Sequence, residues 1–186
     1  MPVPIAALHR DPASRAQTLF VRFPEGWQRP VAGFYEAAEE LIVVSGVLHM
    51  SEVTYGPGDW GYVPAGSVRT STSAETECVV FARFDGPARW REAAEASGPP
   101  PMMAPLRAGN ASSAVPSPLG GGTAWLLRAG ERDAAWFADP PAPGAAAPVD
   151  VELFDPATAA YAFVAAGDPM PDVAGQCFVR TLGGGS

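Results

Sequence analysis

Lysine is missing from this chain altogether, and all twelve of its basic residues are arginines. Schiff-base catalysis, lysine-bound pyridoxal phosphate and a P-loop lysine are therefore excluded, because each requires a primary amine on a side chain. Histidine is nearly as scarce. Only His9 and His49 occur, too few for a histidine-rich metal centre, and no G-x-S-x-G elbow accompanies them, which removes the Ser-His-Asp hydrolase class. Proton transfer would fall mainly to Glu, Asp, Tyr or Cys.

Cysteines and long apolar runs are also lacking. Cys78 and Cys177 lie far apart and in no C-x-x-C arrangement, which argues against structural zinc and against a secreted disulfide scaffold. Both read as buried thiols. No window approaches the about 18 apolar residues of a membrane span, and no basic segment followed by an apolar run marks a secretory leader, so a cytoplasmic protein without membrane association is expected. With a net charge of −8 and scattered arginines, the chain offers no track for phosphates, and nucleic acid is not an expected partner. Small molecules and other proteins are.

What is present is a chain of 186 residues, 47% of them hydrophobic, enough for one medium domain or two small ones with a real core. From Thr18 to Phe84 it reads as short strands, TLFVRF, EELIVVSGVLHM, DWGYVP and ECVVFARF, separated by turn signals such as GPGD and PAGS. That is the grammar of a closed β-barrel or sandwich. RWREAAEASG, Arg89 to Gly98, is the one short helical stretch expected, with Gly98 as its stop. Residues 99–122, rich in Pro, Ala, Ser and Gly, read as a linker. TAWLLR, VDVELF, AYAFVAAG and QCFVRTL then read as strands of a second, reduced β unit around the Pro-rich loop ADPPAPGAAAP. The expected division is a barrel over 1–90, a helical turn and linker over 91–122, the reduced β unit over 123–182 and a flexible tail over 183–186.

Residues 26–73 carry a pattern with chemical content. Gly26, Glu39 and Gly46 fit G-x5-H-x-H-x3 or 4-E-x6-G, with Ala32 and Phe34 at the histidine positions, or Gly33 and Tyr35 on the shorter spacing. Gly58, Pro64 and Gly66 fit G-x5-P-x-G-x2-H-x3-N, with Arg69 at the histidine and Ser73 at the asparagine. In this spacing the chain resembles the cupin superfamily. The resemblance implies an all-β fold, a cupin-type antiparallel β-barrel (jelly roll), with the second, reduced β unit packed on it. A bicupin arrangement similar to the ChrR-type anti-sigma factor cupin would account for that second half. The glycines and proline that shape the barrel are kept, whereas the metal ligands are not. A carboxylate, an aromatic ring and a guanidinium do not make a transition-metal site, since arginine cannot give up its proton to a metal. No cofactor is expected.

In cupin register Glu39 and Arg69 both point into the barrel. Two readings stand side by side: an internal ion pair that fills the vacated metal site, and an Arg69 that grips a carboxylate, enolate or phenolate while Glu39 moves a proton. The expected catalytic set is Glu39, Tyr35 and Arg69. Trp27, Phe34, Tyr35, Trp60, Tyr62 and Phe81 lie on the barrel's strands and turns, and a subset must face inward. Phe34, Trp60, Tyr62 and Phe81, with Arg69, form the expected ligand-binding set. Of Glu36, Glu39 and Glu40, two are expected at solvent or at the rim because neighbours on a strand face opposite ways. His49 reads as an outward or satisfied histidine, and His9 has no assigned role. The function that follows is a metal-independent isomerase, cyclase or lyase using acid-base chemistry on a small anionic or phenolic molecule. The alternatives are a sensory or storage barrel that binds without turnover, and a structural barrel that mainly dimerises. Cupin-like barrels pair through strand edges, so a homodimer is expected.

Overall fold

The computed structural model describes residues 1–93, 98, 101–105, 115–116, 123–127, 144, 146–147, 149–155, 158, 160–171 and 177–182. The chain divides into two compact units, Met1–Ala104 and Pro105–Ser186. No helix occurs among the described residues, and none there is long and apolar enough to cross a membrane.

The first unit opens with β1 (Ile5–Arg10), β2 (Gln17–Phe23), β3 (Trp27–Arg29), β4 (Gly33–Tyr35) and β5 (Glu39–Ser45). It continues through β6 (Leu48–Met50), β7 (Val53–Tyr55), β8 (Asp59–Val63), β9 (Thr72–Ala74), β10 (Cys78–Phe84) and β11 (Trp90–Glu92). With β12 (Met102–Pro105), these strands build a six-stranded sheet of order β1-β2-β10-β5-β8-β12, a four-stranded sheet of order β3-β9-β6-β7 and the ribbon β11-β4. The pairings among β1 to β11 are antiparallel. This is the all-β architecture that the strand grammar predicts, in the jelly-roll form that the resemblance implies.

The core follows from a period of two. On β10, Cys78, Val80, Ala82 and Phe84 share one face, and on β5 Leu41 and Val43 face them. Leu48, Met50 and Tyr55, from the four-stranded sheet, complete the same cluster. The opposite face of the six-stranded sheet is buried as well, through Ile42, Trp60 and Phe81. At Gly46, where β5 turns toward β6, φ is 74°, and a Cβ there would run into the Glu77 carbonyl oxygen.

Two expectations change here. Residues 89–98 do not begin as a helix: Trp90–Glu92 is a strand paired with β4, Trp90 opposite Tyr35. The reason is a close approach at Gly33, whose missing Cβ leaves room for the Trp90 ring and the Arg91 carbonyl; helical propensity in a short alanine-rich run yields to that pairing. Residues 94–97 lie outside the described residues. Within the expected linker, Met102–Pro105 instead adds an edge strand beside β8.

The second unit carries β13 (Val115–Pro116), β14 (Thr123–Leu127), β15 (Asp150–Asp155), β16 (Ala160–Val164) and β17 (Cys177–Leu182) in one sheet of order β13-β14-β17-β15-β16. Val151, Leu153, Val164 and Val179 form its core cluster with Ala147 and Met170. On the other face of β15, Glu152 is fully buried; Arg180 Nη1 donates to its Oε2 at 3.1 Å, and the Tyr161 hydroxyl donates to its Oε1 at 2.9 Å. Most of the Pro-rich loop, the tail 183–186 and the side chain of Cys177 lie outside the described residues.

Two measurements follow. Gly46→Ala combines a left-handed backbone with a collision and is expected to lose about 2 to 4 kcal/mol in urea unfolding. Cys78 is buried, and desolvation pushes its thiol up to about 12; peptide mapping after iodoacetamide treatment at neutral pH should find it unmodified until denaturant is added.

Candidate functional site

Between the facing sheets of the first unit lies a cavity of about 140 Å³. The alternation that builds the core also lines it: Leu19, Val21 and Phe23 from β2, Val80 and Phe84 from β10, and Glu39 from β5. Trp27 and Arg29 of β3, Leu48 and Met50 of β6 and Thr72 of β9 supply the other wall. Val3 and the exposed Ile5 lie on its rim.

Tyr35 and Arg69 also line this space. Arg69 lies outside the regular strands but is fixed by a two-way backbone bridge with Gly33: its N–H donates to the Gly33 carbonyl at 2.7 Å and its carbonyl accepts from the Gly33 N–H at 3.0 Å. That bridge aims the guanidinium across the cavity, where Nη2 donates to Oε2 of Glu39. Both side chains are buried. Among the described residues no hydrogen bond engages Oε1 of Glu39, and Nε of Arg69 is buried without a partner. The guanidinium carbon sits 4.8 Å from the centre of the Tyr35 ring, and that ring is held edge-on by Phe84 and Trp90 at 5.0 and 5.1 Å.

Arg29 completes the constellation. It stacks on Trp90 at 4.3 Å and donates from Nη1 to the Tyr35 hydroxyl oxygen at 3.3 Å. Because the phenol oxygen accepts from Arg29, its own proton is left to donate. Behind the pair, desolvation pushes the phenol of Tyr55 up to about 12, an effect that Arg69 partly opposes, so it stays neutral.

Glu39 and Arg69, which cupin register points inward, thus line one cavity, and Tyr35 lines it with them. The expected aromatic lining is not. Trp60, Tyr62 and Phe81 fall on the strand positions that face away from the cavity, and Phe34 alternates away from Tyr35. The aromatics that do line it are Phe23, Trp27, Tyr35 and Phe84. Glu36 is exposed and pairs with Arg91 at 2.6 Å, whereas Glu40 is fully buried rather than at solvent or rim. The sheet has no wet face at β5, and Trp60 Nε1 donates to Glu40 Oε1 at 2.8 Å. His49 bonds the Thr54 hydroxyl at 3.0 Å and is no part of the site. Arg29, Thr72 and the Glu152–Arg180 pair escape the sequence reading; for Arg29, counting two residues on from Trp27 would have placed both on one face.

The fold family implies a metal in this position, and the donor set does not fit one. The single carboxylate is already held by a guanidinium, no imidazole lines the cavity, and no group of three His, Cys, Asp or Glu side chains that could hold a metal ion occurs among the described residues. What the arrangement can do is attract negative charge, orient an aromatic or aliphatic body against apolar walls, and exchange a proton at Glu39 Oε1 or the Tyr35 hydroxyl.

Removing the cation should expose the cost of the buried carboxylate. Arg69→Ala is expected to destabilise the chain by about 3 to 5 kcal/mol in chemical denaturation. The double replacement Glu39→Leu/Arg69→Leu should recover most of that loss; a loss below about 1 kcal/mol for the single variant would mean a pair of no consequence.

No family model and no curated sequence matches this chain. Solved structures do. A candidate dioxygenase from Nostoc punctiforme superimposes with a TM-score of 0.65 at 17% identity, covering 97% of this chain and 73% of that one. A protein of unknown function with a cupin-like fold from Ralstonia eutropha gives 0.42 at 20% identity, covering 48% of this chain and 62% of its own. An acetylacetone dioxygenase from Acinetobacter johnsonii gives 0.40 at 18%, covering 44% and 58%. At these identities the likeness concerns architecture alone. With the glycines of both motifs in left-handed backbone at the turns of an antiparallel jelly roll, the chain has an all-β, cupin-like fold.

Proposed function

We propose that the first unit is a metal-independent cupin that performs acid-base chemistry of the isomerase, cyclase or lyase type on a small anionic or phenolic organic molecule. The observation that carries this reading is the convergence of Glu39, Tyr35 and Arg69 on one apolar-walled cavity. Oε1 of Glu39 would take a proton from carbon. The negative charge left on the ligand's oxygen would be stabilised by Arg69 across a low-dielectric space. The same carboxyl, or the Tyr35 hydroxyl, would return a proton at a second atom, so no net proton is consumed in an isomerisation.

A second reading has a specific observation in its favour. The Glu39–Arg69 pair is closed, so the carboxylate is already engaged before any ligand enters. A barrel that binds and senses its ligand without turnover fits that state, and catalysis requires the incoming anion to draw Arg69 toward itself.

Deuterium exchange separates the two. In D2O, a bound small acid with an exchangeable C–H should gain deuterium at carbon, and Glu39→Gln should slow that gain by about 10²- to 10⁴-fold. Binding without exchange would favour the sensor. Elemental analysis of protein purified without chelator is expected to find no stoichiometric transition metal; near-equimolar zinc, iron, nickel or manganese would overturn metal independence.

A further inference from the structure

We infer that the occupant of this cavity is a small monocarboxylate whose carboxylate oxygens are received by Nε of Arg69 and the hydroxyl of Thr72. The inference rests on the cavity being the ligand site and adds the chemical class of the ligand and a specificity residue, Thr72. Arg69 and Thr72 are 4% and 5% exposed, both line the cavity, and Arg69 Nε and Thr72 Oγ1 have no hydrogen-bond partner among the described residues. Buried polar atoms without partners are uncommon, and two around one small cavity mark a place where something else completes them.

Donor chemistry restricts what that is. Nε of a guanidinium can only donate, so the occupant must present an acceptor there, and a threonine hydroxyl can donate to a second acceptor on the same group. A carboxylate has two oxygens to offer. Glu39 takes Nη2 of the same guanidinium, and the neighbouring Nε is left without an acceptor among the described residues. Charge gives the valence: among the described lining residues there are two guanidinium groups, Arg29 and Arg69, and one carboxylate, Glu39. One added monoanion brings the sum to zero, whereas a dianion would reverse its sign in an apolar space. Size sets the body. A cavity of about 140 Å³ holds a ring or chain of about six to nine non-hydrogen atoms, below the volume that drug-sized ligands need. Leu19, Val21 and Val80 give that body an apolar wall.

The test is calorimetric titration of the full chain with benzoate and crotonate, and with benzamide and crotonamide as neutral isosteres, in the natural protein and in Thr72→Val. The acids are expected to bind at least about tenfold more tightly than their amides, since hydrogen bonds to charged groups are the stronger ones. Thr72→Val removes an unsatisfied hydroxyl at nearly constant volume, so it should raise the melting temperature of the unliganded protein by about 2 °C or more. The same variant should weaken benzoate binding about tenfold. A purely structural hydroxyl would instead lower the melting temperature and leave affinity unchanged, which overturns the role of Thr72. Equal affinity for acids and amides overturns the carboxylate class while leaving the cavity as a ligand site. No binding of any of the four overturns both.

Discussion

A carboxylate and a guanidinium share the interior of the first unit, and the site is arranged around that contact. Burying either charge alone would cost several kcal/mol; together, with a hydrogen bond between them, they become tolerable. The pair is also a geometric device. Because Arg69 is locked to Gly33 through its backbone, the strand that carries Tyr35 and the loop that carries Arg69 are fixed to each other, and the phenol ring lies against the guanidinium. The second unit uses the same chemistry to a different end: both oxygens of Glu152 are engaged, one by Arg180 and one by Tyr161. A saturated carboxylate of that kind is structural, whereas Glu39 and Arg69 each keep an unused edge.

Arg29 gives the cavity its surplus charge without a carboxylate partner among the described residues. Its guanidinium is held by aromatic faces and by the Tyr35 hydroxyl instead. Aromatic stacking restrains arginine without neutralising it. A cation so restrained leaves its positive charge at the cavity, where Arg69, more deeply buried and paired, supplies the second guanidinium.

Much of this was legible in the residues and some was not, for a physical reason. The spacing of Gly26, Glu39, Gly46, Gly58, Pro64 and Gly66 fixes turns and register, and register alone brings Glu39 and Arg69 together. Period-two alternation sorts Trp60, Tyr62 and Phe81 from Gly61, Val80 and Phe84, but it does not say which class faces inward. Hydrophobicity normally breaks that tie. Here it fails, because Trp60 and Phe81 are as buried as Val80. The same circumstance hides Glu40, which reads as a surface residue until Trp60 is found beside it. Trp90 was misread because its pairing depends on an empty space at Gly33, a tertiary fact absent from a local window.

That the middle of β5 is dry on both sides reaches beyond the site. Along β5, Leu41, Ile42 and Val43 are all fully enclosed, so none of these three consecutive positions tolerates a hydrophilic replacement cheaply, and volume-preserving swaps are the main ones left to drift. A substitution that spares this framework has to fall elsewhere, as at the few polar side chains around the cavity. Such a scaffold can exchange one chemistry for another, a guanidinium for an imidazole, while its outline persists.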